Sequence, residues 1–271
     1  MGLAFASPTQ RYDLTAGQRE SLAANGHVLL PQVATADELE MFRPSILDAV
    51  RRHSTETRDL SERDTYGKAF LQITNLWRQD ETVREFVFAR RFAQIAADLL
   101  GVEKVRLYHD QALFKEPDGG YTPWHQDQYY WPLDTDRTVT MWMPLVDIDD
   151  TMGMLTFASG SHLAGPVGSI EISDESEAAF NEYVADKGFP IVKAEAMRAG
   201  DATFHMGWTI HSAGANRSQT KLREVMTIIY YADGTRVAPA QNKNQAADLE
   251  AWLDDLAPGE IANGSLNPVL N

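Results

Sequence analysis

The sequence predicts a mainly β protein with flanking helices, its core an antiparallel sandwich or jelly roll. Short β-rich runs crowd residues 105 to 238, separated by Gly, Pro, Asp and Ser and not by helical patterns. The first 104 residues read mostly helical, and a short helix and tail follow residue 240. At 271 residues, 44% hydrophobic and 23% charged, the chain has the composition of a globular protein that buries a core without staples. We therefore expect one domain over 1–271: a helical part to 104, a jelly-roll core from 105 to 240, and a C-terminal helix and tail from 241.

In order along the chain, Thr15 and Gln18 form a capping-box pattern, and Thr35 with Glu38 repeats it. The second leads into Leu39, Phe42, Ile46, Leu47 and Val50 at helical spacing, with Pro44 expected to kink or restart the helix. Val83 to Leu100 reads as one helix, stopped by Gly101. Between them, Arg58 to Asp80 reads as a long loop, polar and then aromatic (Tyr66, Phe70, Trp77). The expected strands are Val105–Tyr108, Ala112–Phe114, Thr138–Ile148, Met154–Ala158, Ala202–His205 and Val225–Ala232. Ser173 to Lys187 reads as an inserted helix, and Gln245 to Leu256 as the last one.

Charge and composition narrow the function. There is no cysteine, which excludes disulfides, thiolate zinc sites, iron–sulfur clusters and cysteine nucleophiles, and fits a reducing cytoplasm. A net charge of −15 repels phosphate backbones and anionic lipid, so neither nucleic acid nor membrane is expected as a partner. Met1 to Asp13 shows no leader pattern, and no stretch approaches the roughly 20 apolar residues of a membrane span. The expectation is a cytoplasmic protein acting on a small molecule; its oligomeric state is left open.

The sharpest motif is Trp124-His125-Gln126-Asp127. In extended backbone, residues i and i+2 point the same way, so the imidazole and the carboxylate aim at one point. His211 follows the strand-like Ala202–His205. Two imidazoles and one carboxylate make the facial triad of non-haem Fe(II) oxygenases, leaving positions for a chelating co-substrate and O2. A His-x-Asp pair alone is weak and is often a surface feature or a local hydrogen bond. Arg223, at the head of the run Val225–Tyr231, adds a cation able to grip a carboxylate in two prongs. Arg217 competes but falls in a turn. His205 is the rival to His211, without the glycine-rich turn and downstream arginine. His27, His53 and His162 read as surface, core or turn residues. His109 adjoins Asp110, and neighbours in a strand face opposite ways.

As a set, Asp110-Gln111-x4-Glu116-Pro117-x-Gly119, Trp124-His125-Gln126-Asp127, Thr140-x-Trp142, Gly160-Ser161-His162 and His211-x2-Gly214-x-Asn216-x-Ser218 resemble the phytanoyl-CoA dioxygenase family. The resemblance runs from about Gly26 to Tyr231 and includes the tail Ser265-Leu266-Asn267-Pro268. It implies a double-stranded β-helix holding Fe(II) at His125, Asp127 and His211, with 2-oxoglutarate and O2 as co-substrates. It makes Arg223 the partner of the distal 2-oxoglutarate carboxylate, although one residue is inserted in the preceding turn relative to the common family spacing. It brings Gln111 to the iron pocket, with Lys115 at i+4 on the same strand face, and Thr140 and Trp142 to the co-substrate pocket. For Trp142, plain core packing is an equal reading.

The expected reaction is oxidation of a substrate C–H bond, hydroxylation by default, with release of succinate and CO2. Asp127 leaves no place for a halide ligand. Tyr129, Tyr130 and Trp131, with Phe70 and Trp77, form an expected wall for a bulky natural-product or lipid-like substrate; core filling accounts for them equally. No CoA-binding signal is visible. Two other readings stay open: a cupin-type dioxygenase or isomerase without 2-oxoglutarate, which leaves Arg223 no task, and a non-catalytic binding module, which leaves the triad none.

Overall fold

The computed structural model describes residues 8–168 and 171–271; Met1 to Ser7, more than half of the stretch read for a leader pattern, lie outside them. The elements run α1 (Ala16–Asn25), β1 (His27–Leu30), α2 (Ala36–His53), α3 (Thr65–Ala69), β2 (Leu71–Thr74), α4 (Glu81–Val87), α5 (Arg90–Leu100) and β3 (Val105–Phe114). There follow β4 (Thr122–His125), β5 (Thr138–Pro144), β6 (Ile148–Asp149), β7 (Leu155–Ala158), α6 (Asp174–Lys187), β8 (Ile191–Lys193) and β9 (Ala196–Met197). The last are β10 (Ala202–Met206), β11 (His211–Ala213), β12 (Val225–Ala232) and α7 (Lys243–Trp252). A six-stranded antiparallel sheet in the order β1-β10-β5-β12-β3-β2 and a four-stranded one in the order β4-β11-β7-β8 form a double-stranded β-helix, with β6-β9 as a small extra pair.

The larger sheet explains itself by alternation. On β5, Val139, Met141 and Met143 point to the helices, and Thr140 and Trp142 point the other way. The helical side is one apolar core: Phe42 and Ile46 of α2, Phe86 of α4, Phe92 and Ile95 of α5 meet Phe204, Ile228 and Tyr230 of the sheet, all fully buried. Burying each such side chain contributes roughly 1.5–3 kcal/mol. The expected capping boxes hold two helices in place. The Gln18 amide NH donates to Thr15 Oγ1 at 3.2 Å, and that of Glu38 to Thr35 Oγ1 at 3.2 Å. Glu38 also accepts from the buried Arg91 Nη1 at 2.7 Å, which ties α2 to α5.

Several expectations are corrected. Residues 83–100 form two helices, because Ala89 leaves the helical region (ψ 118°) between Phe86 and Phe92, which both reach the core; no Gly or Pro marks the break. Pro44 lies inside an unbroken α2, where the bond it removes belongs to Glu40 on the exposed face. The expected loop at 58–80 contains α3, two 3-10 turns and the strand β2, which exists because β3 offers it an edge to pair with. The helical first part likewise contributes β1 to the opposite edge. The two runs at 105–114 are one strand with a bulge opposite Ile228–Tyr230. Among the described residues no helix is long and apolar enough to cross a membrane.

Candidate active site

Two strands of the smaller sheet set the histidines. His211 of β11 lies directly opposite His125 of β4, with ring centroids 4.1 Å apart. Each ring is locked by the carbonyl two residues before it: His125 Nδ1 donates to Pro123 O at 2.8 Å and His211 Nδ1 to Thr209 O at 2.9 Å. That hydrogen bond fixes the tautomer and leaves both Nε2 lone pairs free to bind a metal. Gln126 is extended (φ −122°, ψ 124°) and sends its amide outward to Gly165 O and Trp208 O. Asp127 therefore shares the direction of His125. Its Oδ1 lies 3.5 Å from His125 Nε2 and 3.7 Å from His211 Nε2, and the three ligand atoms lie within 4.8 Å of one another.

The other carboxylate oxygen is held from behind. Thr140 Oγ1 donates to Asp127 Oδ2 at 2.9 Å, and His205 Nε2 at 3.2 Å. Burial works to raise the Asp127 carboxyl, but the surrounding imidazoles outweigh it and keep it well below the usual carboxylate range. Burial, followed by the neighbouring His125, pushes His211 well below its ordinary value, toward the neutral form in which an imidazole can bind a metal. Two imidazoles and a carboxylate, converging on one point, are a donor set that fits a divalent iron ion.

Arg223 sits where β12 begins. It is 1% exposed, its backbone is paired both ways with Lys115 at 2.9 Å, and its guanidinium lies 5.4 Å from the centre of the Trp142 ring. Nη1 donates to Gly153 O at 2.6 Å, while Nε has no partner. Gly153 has φ +79°, and a Cβ there would strike Gly214 O, so the turn that presents this carbonyl needs glycine. Burial alone lowers the guanidinium to about 9. No carboxylate among the described residues pairs with it. A buried cation with donor capacity to spare is a receptor for an anion.

Between the triad and Arg223 opens a cavity of about 540 Å³. Of the residues expected at the site, Gln111, Thr140, Trp142, Phe70, Tyr130 and Trp131 line it. Three others do not. Lys115, still paired with Arg223 just beyond β3, keeps the inner face of the sheet, but its ammonium turns to Gly120 O and, at 3.4 Å, to Thr122 Oγ1, behind the cavity wall. Trp77 packs on Phe88 and under Arg84 on the helical side, its indole NH donating to Asn75 Oδ1 at 3.0 Å. Tyr129 stacks edge-on against Tyr130, and its carbonyl anchors Asn242 and Gln245 at the start of α7. The sequence reading missed the role of His205 at Asp127 and the contributions of Tyr66, His109, Asp248 and Trp252 to the wall. The i,i+4 spacing of Asp248 and Trp252 on one helix was the available signal.

A double-stranded β-helix with this donor set and a buried arginine defines a non-haem iron dioxygenase that takes 2-oxoglutarate and O2 as co-substrates. The chain belongs to the phytanoyl-CoA dioxygenase (PhyH) family, whose model matches residues 22–225. A probable phytanoyl-CoA dioxygenase of Caenorhabditis elegans is 26% identical over 227 residues, covering 76% of this chain and 72% of that protein. The fold is similar to that of SnoK, a non-haem α-ketoglutarate-dependent carbocyclase from nogalamycin biosynthesis, with a TM-score of 0.78 at 24% identity over 98% of this chain and 100% of that one. It is also similar to that of the epimerase SnoN in complex with Fe3+, α-ketoglutarate and nogalamycin RO, with a TM-score of 0.75 at 26% identity over 94% of this chain and 98% of the other.

Proposed function

We propose that this dioxygenase oxidises, most simply hydroxylates, an unactivated C–H bond of a bulky natural-product-like molecule. The observation that carries this is the aromatic-walled cavity, which joins the three metal donors to an arginine that has no acidic partner among the described residues. In this reading His125, Asp127 and His211 hold the iron. Arg223 grips the distal carboxylate of 2-oxoglutarate, with Trp142 stacked under the guanidinium and Gln111 and Thr227 on the adjoining wall. Bound iron, 2-oxoglutarate and O2 supply the oxidising power, and the co-substrate leaves as succinate and CO2.

The chain's own work is placement. Thr140 and His205 hold Asp127 Oδ2, which leaves Oδ1 as the oxygen that would bind a metal. Phe70, Tyr66, Tyr130 and Trp131 wall off the far side, where a large apolar ligand displaces water. The nogalamycin origin of SnoK and SnoN supports a natural-product scaffold over an acyl-CoA. The net charge of −15 also disfavours the CoA polyphosphate. A cupin-type activity without 2-oxoglutarate gives the unpartnered Arg223 Nε no role.

The test is succinate formation by purified protein with Fe(II), ascorbate, 2-oxoglutarate and O2, first alone and then with a panel of polycyclic and lipid-like molecules. Stimulation by a polycyclic compound, with an added oxygen found in the product, is expected. Stimulation by acyl-CoA esters only would sink the substrate class.

A further inference from the structure

At the end of the cavity reached by α7 lies a second polar cluster that the iron and 2-oxoglutarate sites do not use. Asp248 of α7 lines the cavity and its Oδ2 accepts from Tyr108 Oη at 2.8 Å. Trp252, one helical turn on, lies edge-on to His109 with ring centroids 5.5 Å apart. His109 also lines the cavity, is 5% exposed, and its Nδ1 has no hydrogen-bond partner. Along β3, His109 is roughly 20 Å of strand from Lys115, the residue paired with Arg223, so the two polar ends are well separated.

Charge decides what this end accepts. In the loaded enzyme Asp127 would be taken up by iron and Arg223 by the co-substrate. Glu171 at the wall is paired with Lys243 at 3.0 Å. Asp248 meets no positive group among the described residues; its partners are neutral. Burial lifts its carboxyl to about 7, and the hydrogen bonds from Tyr108 and Trp252 offset that only in part. A bound cation is what keeps such a group ionised. The walls are aromatic as well, since Trp252, Trp131 and Tyr66 line the same space, and an aromatic face attracts a cation.

We infer that the substrate carries a basic amine, received as its ammonium by Asp248 beside Trp252 and His109 while the carbon to be oxidised faces the metal centre. This deepens the proposed function and rests on the cavity being the substrate site.

The probes are 2-(2-naphthyl)ethylamine and its neutral counterpart 2-(2-naphthyl)ethanol. Each is titrated calorimetrically into anaerobic protein loaded with Fe(II) and 2-oxoglutarate. A charge-assisted contact predicts that the amine binds at least about tenfold tighter than the alcohol. Asp248→Asn should erase the preference, leaving the alcohol affinity within about threefold. Should that variant fail to fold, Trp252→Leu should shrink the preference by weakening the amine more than the alcohol. Equal affinity of the two probes in the wild type, no binding of either, or a preference that survives Asp248→Asn overturns the inference. Succinate release by the same wild-type preparation is scored separately. Its absence sinks the oxygenase reading and leaves an amine preference standing, whereas succinate release without amine preference sinks the inference alone.

Discussion

The two faces of the six-stranded sheet obey different rules although they share every strand. On β10, Phe204 points to the helices and is fully buried among apolar side chains, while its neighbours Thr203 and His205 pair with Trp142 and Thr140 and turn to the other face. On β3, Ala112 and Phe114 join the core, while Gln111 and Leu113 line the cavity. The outer face is held by shape and apolar area. The inner face combines smaller apolar clusters around Trp142 and Ile229 with a few directed hydrogen bonds, and it carries the chemistry. Adjacent residues should therefore separate cleanly into those that set stability and those that set activity.

The sharpest challenge to that division is Asp127→Ala. It should abolish metal-dependent succinate formation while the metal-free protein still unfolds in one cooperative transition; retained turnover would remove the triad. Next in size, Phe204→Ala should cost about 3–5 kcal/mol in denaturant unfolding and leave turnover per folded molecule unchanged. A loss of activity at full folding would mean the faces are coupled. Arg223→Met should raise the 2-oxoglutarate concentration for half-maximal rate about 30- to 150-fold, from about 2–3 kcal/mol of charge-assisted hydrogen bonding, with little change in the maximal rate. An unchanged requirement would strip Arg223 of its role. The smallest effect is expected for Thr140→Val, which frees Asp127 Oδ2 from one donor: about tenfold weaker Fe(II) binding by competition with a chelator, with unfolding little altered.

How much of this was legible follows from what periodicity measures. The facing of His125 and Asp127 was readable because the one residue between them is extended, and the alternation on β5 and β12 was readable from the residues themselves. Lys115 shows where that reasoning ends: alternation assigns it to the Gln111 and Leu113 face, which its pairing with Arg223 preserves, but not whether the side chain reaches the open space or bonds to Gly120 O behind the wall. The short strand β2 was read as loop because its four residues are strand only by pairing with β3. Trp77 and Tyr129 were grouped with the cavity for their aromaticity, which does not tell a packing residue from a lining one. For Asp248 the i,i+4 spacing with Trp252 marks a shared helix face but not what that face meets. A polar residue on a polar helix has no assigned surroundings until the helix is docked, and α7 docks through Asn242 and Gln245 on the carbonyl of Tyr129.

Because His125 and His211 face each other across paired strands, backbone hydrogen bonds set their spacing before any ion arrives. Cobalt, nickel and copper take nitrogen and oxygen donors more tightly than ferrous iron does. Affinity at these donors therefore does not by itself select iron. The choice of metal then passes from the protein to its surroundings. A cell that keeps nickel and copper scarce fills the site with iron, and protein produced in metal-rich broth carries an idle occupant until it is stripped and reloaded.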